Sequence, residues 1–432
     1  MSMIKEPSRE TPVVAQADVV VVGGGPGGFP AAVAAARHGA RTVLIERYGF
    51  MGGLATAGLV APMLAHTASD SDTPIVEGIL REVTERMHAI GGAPAWEETL
   101  QEWGIHFDAE ALKVVIDEMC QEAGVEVMLH TLVTDVVREG ESIQAVIVEN
   151  KSGRGAVTGK VFIDATGDAD VADRAGAVTH NGRPFDNRPE SMGSFIHLAG
   201  FEEVDDERAQ ELREQIEHEM TDGRFHFYNA GFLGRNTYHQ DHTAANMTRY
   251  GGDPVDASDM TEAELSIRQD VWELVRYLRA NVPEFADCYV QQTSPQVGPR
   301  ESRQIVGPYA LTGEDVHQGN KFEDGIARGS WWIDIHCPLG NAYPVHLCVV
   351  ECPKGADCPY WAAEHENMRS REELHPSQGD WYDIPYRSLL SVDVPNLLAS
   401  GRCISATHEG MAGSRVMATC VAIGQAAGTA AA

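Results

Sequence analysis

The sequence has little lysine and no long apolar run. Only six of its 33 basic residues are Lys, and 64 acidic residues give a formal net charge of −31. Such an acidic surface repels phosphate backbones and anionic lipids, so neither nucleic acid nor a membrane is expected as a partner. No stretch of about 18 consecutive apolar residues appears, which excludes a hydrophobic membrane-spanning helix.

A secretory signal and a disulfide framework are also missing. Residues 1–16 are polar and contain no apolar core of the signal-peptide type. Eight Cys in 432 residues are too few for a disulfide scaffold, and we expect reduced thiols in a cytoplasmic protein. With 43% apolar and 22% charged residues, the chain has an ordinary globular balance, and its length suggests two or three domains.

The cysteines show no standard zinc pattern. Cys337, Cys348, Cys352 and Cys358 cluster in the second half of the chain, separated by gaps of ten, three and five residues, with His346 close by. The paired C-x₂-C knuckle of common zinc sites is missing. We therefore expect no metal, and interpret these cysteines as buried thiols or loop residues.

The first sixty residues contain a complete nucleotide-binding pattern. The β-branched run 18–22 predicts a buried parallel strand, and the glycine-rich turn 23–28 follows it directly. Residues 31–37 are an Ala-rich helix, and 41–46 predict a second strand that ends in an acid. Strand, turn, helix, strand and acid are in register, which makes the pattern far more specific than its glycines alone.

Each position in this pattern has a physical role. Gly23 allows a tight turn out of the strand, Gly25 lets a pyrophosphate approach the backbone, and Gly28 lets the helix pack closely on the sheet. The N-terminal end of the helix attracts the phosphates. Glu46 lies 18 residues beyond Gly28, where a carboxylate can accept hydrogen bonds from ribose hydroxyls.

The segment after the acid favours FAD over NAD. Arg47 leads into a second glycine-rich loop, Gly-Gly-Leu-Ala-Thr-Ala-Gly at 52–58, which suits a long cofactor. Here the sequence resembles the large family of FAD-dependent oxidoreductases with a glutathione-reductase-like flavin fold. The resemblance extends to the Ala-Thr-Gly strand at 161–168, to Gly-Pro-Arg-Glu-Ser-Arg at 298–303 and to the closing segment 396–428.

The motif and the resemblance together give a set of predicted FAD-binding residues. They are Gly23, Gly25, Pro26, Gly28, Glu46, Arg47, Gly53, Thr56, Val133, Ala165, Gly167, Gly401, Arg402 and Thr419. In the resembled family, the residue at the position of Val133 meets the adenine, and the last helix presents its N-terminal end to the flavin.

The rest of the chain predicts an α/β architecture. Asp108 can cap a helix running to about Glu122, the segments 132–137 and 143–148 predict paired strands, and 205–220 and 261–280 predict charged amphipathic helices.

The expected fold class is a discontinuous, Rossmann-like, three-layer FAD-binding domain with an inserted α+β substrate domain. The FAD-binding domain takes residues 17–65, 105–180 and 391–432, the connecting segment takes 66–104, and the substrate domain takes 181–390.

Candidate catalytic residues are histidines and arginines of the second half. His336 and His408 are candidate bases, since imidazole titrates near neutrality, although most of the 17 His must have ordinary roles. Arg300, Arg303 and Arg415 are candidates to clamp a carboxylate or to steady an anionic flavin. Salt bridges are an equally simple explanation for these arginines.

The function expected from these features is hydride transfer from a small organic substrate to flavin N5, with oxygen or another carrier as acceptor. No second strand–glycine–helix–acid unit follows Gly58, so a dedicated NAD(P)H domain is not expected. Two alternatives stay open: a flavin monooxygenase that uses NAD(P)H without such a domain, and a net non-redox FAD enzyme such as an isomerase or lyase. A homo-oligomer is possible.

Overall fold

The computed structural model describes residues 4, 7–234, 237–239, 241–340 and 346–432. Every helix in these residues is too short or too polar to cross a bilayer.

The strands in chain order are β1 (Val13–Gln16), β2 (Val19–Val22), β3 (Thr42–Ile45), β4 (Met63–Leu64), β5 (Gly104–Ile105), β6 (Glu126–Met128), β7 (Leu132–Glu139), β8 (Ser142–Asn150), β9 (Gly153–Thr158), β10 (Val161–Asp164), β11 (Thr179–Asn181), β12 (Ile196–Ala199), β13 (Thr243–Ala245), β14 (Tyr289–Thr293), β15 (Arg303–Ile305), β16 (Gly325–Gly329), β17 (Tyr382–Pro385) and β18 (Leu397–Ala399).

The α-helices are α1 (Phe29–Arg37), α2 (Ile79–Ala89), α3 (Trp96–Thr99), α4 (Ala109–Ala123), α5 (Asp170–Arg174), α6 (Asp206–Thr221), α7 (Ala257–Asn281), α8 (Gly313–Gln318), α9 (Pro359–Glu364), α10 (His408–Ser414) and α11 (Met417–Ala431).

A five-stranded parallel sheet forms the centre of the molecule. Its strand order is β18-β10-β2-β3-β6, so the last strand of the chain lies beside one from its middle. All four residues of β2 are buried valines, as expected for a parallel strand that is covered on both faces. The predicted buried strands at 18–22 and 41–46 are confirmed.

Helices α1 and α11 pack against each other on one face of this sheet. A Cβ on Gly424 would lie 2.5 Å from the carbonyl oxygen of Gly27, and one on Gly428 would lie 2.0 Å from that of Ala31. Only glycine permits this approach, which brings the C-terminal helix against the first glycine turn. Helix α4 begins at the predicted cap, where the Asp108 carboxylate accepts hydrogen bonds from the amides of Glu110 and Ala111.

A second sheet completes the three-layer architecture. Its order is β1-β9-β8-β7, and β7 and β8 pair antiparallel, which confirms the predicted strand pair. Val146, Val148 and Val157 from this sheet share one hydrophobic core with the parallel sheet. The α/β, Rossmann-like fold class is thus confirmed.

Residues 192–297 form a separate hydrophobic core. It contains the antiparallel sheet β13-β12-β14 and the buried faces of α6 and α7. Both helices were predicted, and α7 begins at Ala257 because the Asp256 carboxylate caps it.

The remainder of the predicted substrate domain packs differently. Residues of 305–390, including Ile333, Tyr382 and Ile384, belong to the same core as the parallel sheet. The segment 181–390 therefore divides between two cores, and the domain limits given above stay a prediction.

Candidate active site

A cavity of about 540 Å³ opens at the carboxyl ends of the parallel strands. Gly23 follows β2, Glu46 follows β3, Ala165 follows β10 and Gly401 follows β18, and all four line it. Ligands of open α/β sheets bind at this edge, because the strand ends and the helix N-termini converge there. The cavity continues from this edge into the region of the second core, where it is lined by charged side chains.

The glycine turn forms a narrow cradle at one end of the cavity. Gly23 has φ +98°, and a Cβ on Gly28 would lie only 1.7 Å from the Gly23 carbonyl oxygen. At Gly25 a Cβ would meet nothing closer than the Cα of Gly53, at 3.5 Å. Gly28 is thus required by internal packing, whereas the missing side chain of Gly25 leaves open space beside the backbone.

Glu46 is held at the bottom of this cradle by two backbone amides. Its Oε2 accepts from the amide of Gly24 at 2.7 Å and its Oε1 from the amide of Tyr48 at 2.9 Å. The residue is 5% exposed. Since each carboxylate oxygen can accept more than one hydrogen bond, Glu46 retains acceptor capacity for hydroxyls in the cavity.

The N-terminal end of α11 points into the middle of the cavity. Arg415, Val416 and Met417 line the wall at this helix start. Unpaired amides and the helix dipole make such an end favourable for negative charge.

Two arginines dominate the other end of the cavity. Arg249, which is 2% exposed, donates to Asn246 Oδ1 at 2.8 Å, and Arg300 donates to the same oxygen at 3.1 Å. The Arg249 guanidinium also lies 4.2 Å from the centroid of the Tyr228 ring. Within the described residues, neither arginine forms an ion pair, and Nε of Arg249 has no hydrogen-bond partner.

Burial makes these two charges costly. It lowers the pKa of Arg249, and the nearby Arg300 charge adds to the effect. Burial, followed by the charge of Arg415, lowers the pKa of Arg300 to about 10. Both guanidiniums are protonated at neutral pH, so the cavity holds two buried positive charges side by side.

His336 lies between this pair and a carboxylate. Its Nδ1 is 3.4 Å from a guanidinium nitrogen of Arg249, and its Nε2 is 3.5 Å from Asp334 Oδ1. Its backbone amide donates to Glu190 Oε2 at 2.9 Å. Burial is the main reason why the pKa of His336 falls to about 3, and the charges of Arg249 and Arg300 lower it further against the opposing effect of Asp334. The ring is therefore neutral at pH 7.

The description of the matching family is FAD dependent oxidoreductase, and the match covers residues 18–432. The chain belongs to this family of FAD-dependent oxidoreductases. FAD is thus the cofactor of a protein whose glycine cradle, anchored carboxylate and helix end all suit an adenine dinucleotide.

Similarity to individual proteins is more distant. The thiamine thiazole synthase of Methanococcus vannielii is 29% identical over 166 residues, which are 36% of this chain and 58% of that protein. A myxobacterial chondrochloren halogenase, CndH, is 20% identical, with a TM-score of 0.32 over 44% of this chain and 45% of the halogenase. The p-nitrophenol 4-monooxygenase PnpA of Pseudomonas putida DLL-E4 is 14% identical, with a TM-score of 0.39 over 68% of this chain and 70% of the monooxygenase. The chain thus spans about half of the first two proteins.

Most of the residues predicted to bind FAD line the cavity of this oxidoreductase. Those that do are Gly23, Gly25, Pro26, Glu46, Arg47, Gly53, Val133, Ala165, Gly167, Gly401 and Arg402. Arg402 is also tied to its surroundings, because it donates to Gly167 O at 2.8 Å and to the Asp168 carboxylate at 2.7 Å.

Three of the predicted FAD-binding residues are not in the cavity wall. Gly28 lies behind it, where it allows α1 to approach Gly23. The Thr56 hydroxyl donates to the Met51 carbonyl at 2.8 Å, and Thr419 is buried within α11. These residues support the cradle through packing.

The predicted catalytic residues separate in the same way. Arg300, Arg415 and His336 line the cavity, whereas Arg303 and His408 do not. Arg303 forms ion pairs with Asp170 and Asp173, each at 2.6 Å, which is the alternative explanation considered for it.

His408 is buried behind the cavity. Its Nδ1 lies 2.8 Å from the carboxylate of Glu301. Burial alone would lower the pKa of His408, but the charge of Glu301 and its hydrogen bond raise it above the usual value. His408 and Glu301 form a buried ion pair that underlies the cavity wall.

The sequence motifs missed several residues of the charged end. Tyr228, Asn246 and Arg249 belong to the segment 192–297, which carries no motif. Asp334 lies two residues before His336, in a segment that resembles the family, but only His336 was predicted as a catalytic residue. Only the fold brings Tyr228, Asn246 and Arg249 to Arg300 and His336, so no local spacing could have identified these three.

Proposed function

We propose that this FAD-dependent oxidoreductase oxidises a small organic anion, such as a hydroxy acid or amino acid, and passes the electrons to oxygen or another carrier. The observation that carries the proposal is the pair Arg249 and Arg300, which line the cavity and form no ion pair within the described residues.

A bound carboxylate would relieve an unfavourable arrangement. Burial disfavours both charges and the two guanidiniums repel each other, while the charges of Asp334 and, for Arg300, of Glu190 attract them without forming an ion pair. Asn246 Oδ1 accepts from both side chains and holds them in a fixed relation, at 2.8 Å from Arg249 and 3.1 Å from Arg300. Guanidinium groups match carboxylate oxygens in a bidentate geometry, which would set the orientation of the substrate as well as its affinity.

FAD, when bound, supplies the acceptor for the hydride that leaves the substrate carbon. The protein residues then have to remove the matching proton from the substrate hydroxyl or amine. His336 is suited to this role because its ring is neutral and lines the cavity. A substrate carboxylate on the two arginines would offset the charges that depress the pKa of His336, and Asp334 would stabilise the protonated ring at 3.5 Å.

Arg415 would keep this wall in place. Its guanidinium lies 3.2 Å from Glu190 Oε1 and donates to the backbone carbonyl of Asp334 at 2.9 Å. Glu190 in turn accepts from the His336 amide, so a single buried carboxylate links Arg415 and His336.

The test is anaerobic reduction of the holoenzyme by organic acids and by their methyl esters. We expect the acids to bleach the flavin and the esters to fail. In Arg249→Met the KM for the acid should rise by about 10- to 150-fold, the value of one charge-assisted hydrogen bond, while FAD content stays normal. Arg276→Met is the matched control, since Arg276 is an exposed residue of α7.

Three results would contradict the proposal. If the esters bleached the flavin as effectively as the acids, the arginine pair would not be binding the substrate carboxylate. Rapid bleaching by NADPH alone would indicate a monooxygenase, and turnover with an unchanged flavin spectrum would indicate a net non-redox reaction.

A further inference from the structure

Behind the charged end of the cavity, three side chains of types that can bind metals meet in the interior. The sulfurs of Cys337 and Cys348 and a ring nitrogen of His346 all lie within 4.8 Å of one another, and all three residues are buried. Cys348 Sγ is 3.4 Å from His346 Nε2. All eight cysteines are free thiols, so no disulfide accounts for the cluster.

The other two cysteines of this segment are close by. Cys358 is buried and near enough to Cys348 for its charge to act on that thiol, while Cys352 is hydrogen-bonded to Cys358. Four thiols and an imidazole from residues 337–358 are therefore gathered in one place, although their sequence gaps match no common zinc motif.

A backbone amide already contacts one sulfur of the cluster. The amide of Leu339, two residues beyond Cys337, donates to the sulfur of Cys337. Hydrogen bonds of this kind fix the orientation of metal ligands.

We propose that Cys337, His346, Cys348 and Cys358 bind one structural Zn²⁺ ion. Metal binding displaces the thiol protons to solvent, and the three thiolates and one neutral imidazole complete a tetrahedral shell of the Cys₃His type.

The spacing fits a single ion. Zn–S bonds of about 2.3 Å and Zn–N bonds of about 2.0 Å place a sulfur and a nitrogen ligand about 3.5 Å apart in a tetrahedron, close to the 3.4 Å between Cys348 and His346. The four thiolates of a [4Fe–4S] cluster bind separate irons and therefore lie further apart. The closed, buried shell leaves no open position for substrate, which is typical of structural zinc.

The segment that contains these ligands has little regular secondary structure, so a bound ion would stabilise it. Beyond Cys337 the described part of the segment up to residue 378 contains only short helical turns, with α9 as its longest helix. Cys337 directly follows His336, which lines the cavity. A zinc ion would fix this irregular segment and with it the position of the His336 ring.

The test is metal analysis of the purified full-length protein with its FAD. We expect about one zinc and no iron or labile sulfide per chain. Cobalt substituted for zinc should give the visible absorption of tetrahedral Co²⁺ bound to thiolates. Cys348→Ser should lose the metal, whereas Cys288→Ser, which changes a buried cysteine of the second core, should retain it.

Two further measurements test the proposal if Cys348→Ser does not fold: the zinc content of other cysteine variants and the Tm of the wild type after chelation. Cys358→Ser should lose more zinc than Cys352→Ser, and a strong zinc chelator should lower the Tm of the wild type but not change its FAD content. Protein that carries no zinc and binds none on addition would overturn the proposal. Iron with sulfide, or full zinc retention in Cys348→Ser, would overturn it as well.

Discussion

The two ends of the cavity are built by different means. The cofactor end is formed mainly by backbone glycines and one carboxylate. Gly25 borders open space, and Glu46 is fixed by the amides of Gly24 and Tyr48. At the charged end, side chains from distant segments converge, with Arg249 and Arg300 around Asn246.

The two ends of the cavity should respond differently to substitution. A backbone cradle depends on close packing, so an added methyl group is resisted by rigid neighbours. A cluster of charged side chains depends on its balance of charge, so removing one charge alters affinity and pKa values more than it alters the fold.

The largest effect is expected when the packing of the cradle is violated. In Gly28→Ala the new Cβ would lie 1.7 Å from the Gly23 carbonyl oxygen, so we expect a loss of about 3 kcal/mol or more in the free energy of unfolding. Gly25→Ala is the matched variant, because its Cβ meets nothing closer than 3.5 Å. It should retain the fold and lose FAD affinity. Denaturant unfolding with and without excess FAD measures the stability and the FAD affinity of each variant. Equal destabilisation of Gly25→Ala and Gly28→Ala would contradict the role of close packing at Gly28.

A smaller effect is expected from Glu46→Gln. The amide side chain loses the negative charge and presents an NH₂ group to one of the two backbone amides that Glu46 now accepts from. FAD binding should weaken by about 1.5–3 kcal/mol, which is about 10- to 150-fold in Kd. Fluorescence titration of the apoprotein with FAD measures this change. Glu126→Gln, at an exposed position of the neighbouring strand β6, is the control and should bind FAD normally.

The smallest change in stability at neutral pH is expected from substitution of His336 at the charged end. The pKa of His336 is about 3 in the folded protein, chiefly because of burial, and about 6.5 when unfolded. Between these values the unfolded chain binds more protons, so His336 makes stability fall as the pH drops below 6.5, by about 2 kcal/mol at pH 5.

In His336→Asn the free energy of unfolding should therefore fall less between pH 6.5 and pH 5 than in the wild type. The pH-dependent difference should disappear at pH 8. Urea unfolding with excess FAD at pH 5, 6.5 and 8 checks this, with the exposed His218→Asn as control. An unchanged acid slope in His336→Asn would show that the ring is not held neutral.

Much of the cofactor end could be predicted from the sequence. The strands at 18–22 and 41–46, the cap at Asp108 and the pair β7–β8 are all formed by contiguous residues, and each was predicted in place. The charged end could not be predicted to the same extent. Arg303 and His408 carry the same chemistry as Arg300 and His336, yet they form ion pairs outside the cavity wall.

The sequence by itself determined the parallel strands, the glycine turn and the acid that follows it, because these depend on backbone conformation and on side-chain periodicity over a few residues. Only the tertiary structure decided which arginines form no ion pair within the described residues and which cysteines meet. Arg249 approaches Arg300 through packing between segments far apart along the chain. Cys337 and Cys348 are close in sequence, but only the fold brings their sulfurs together with the His346 ring. Burial and charge pairing arise from that packing, and no local pattern records them.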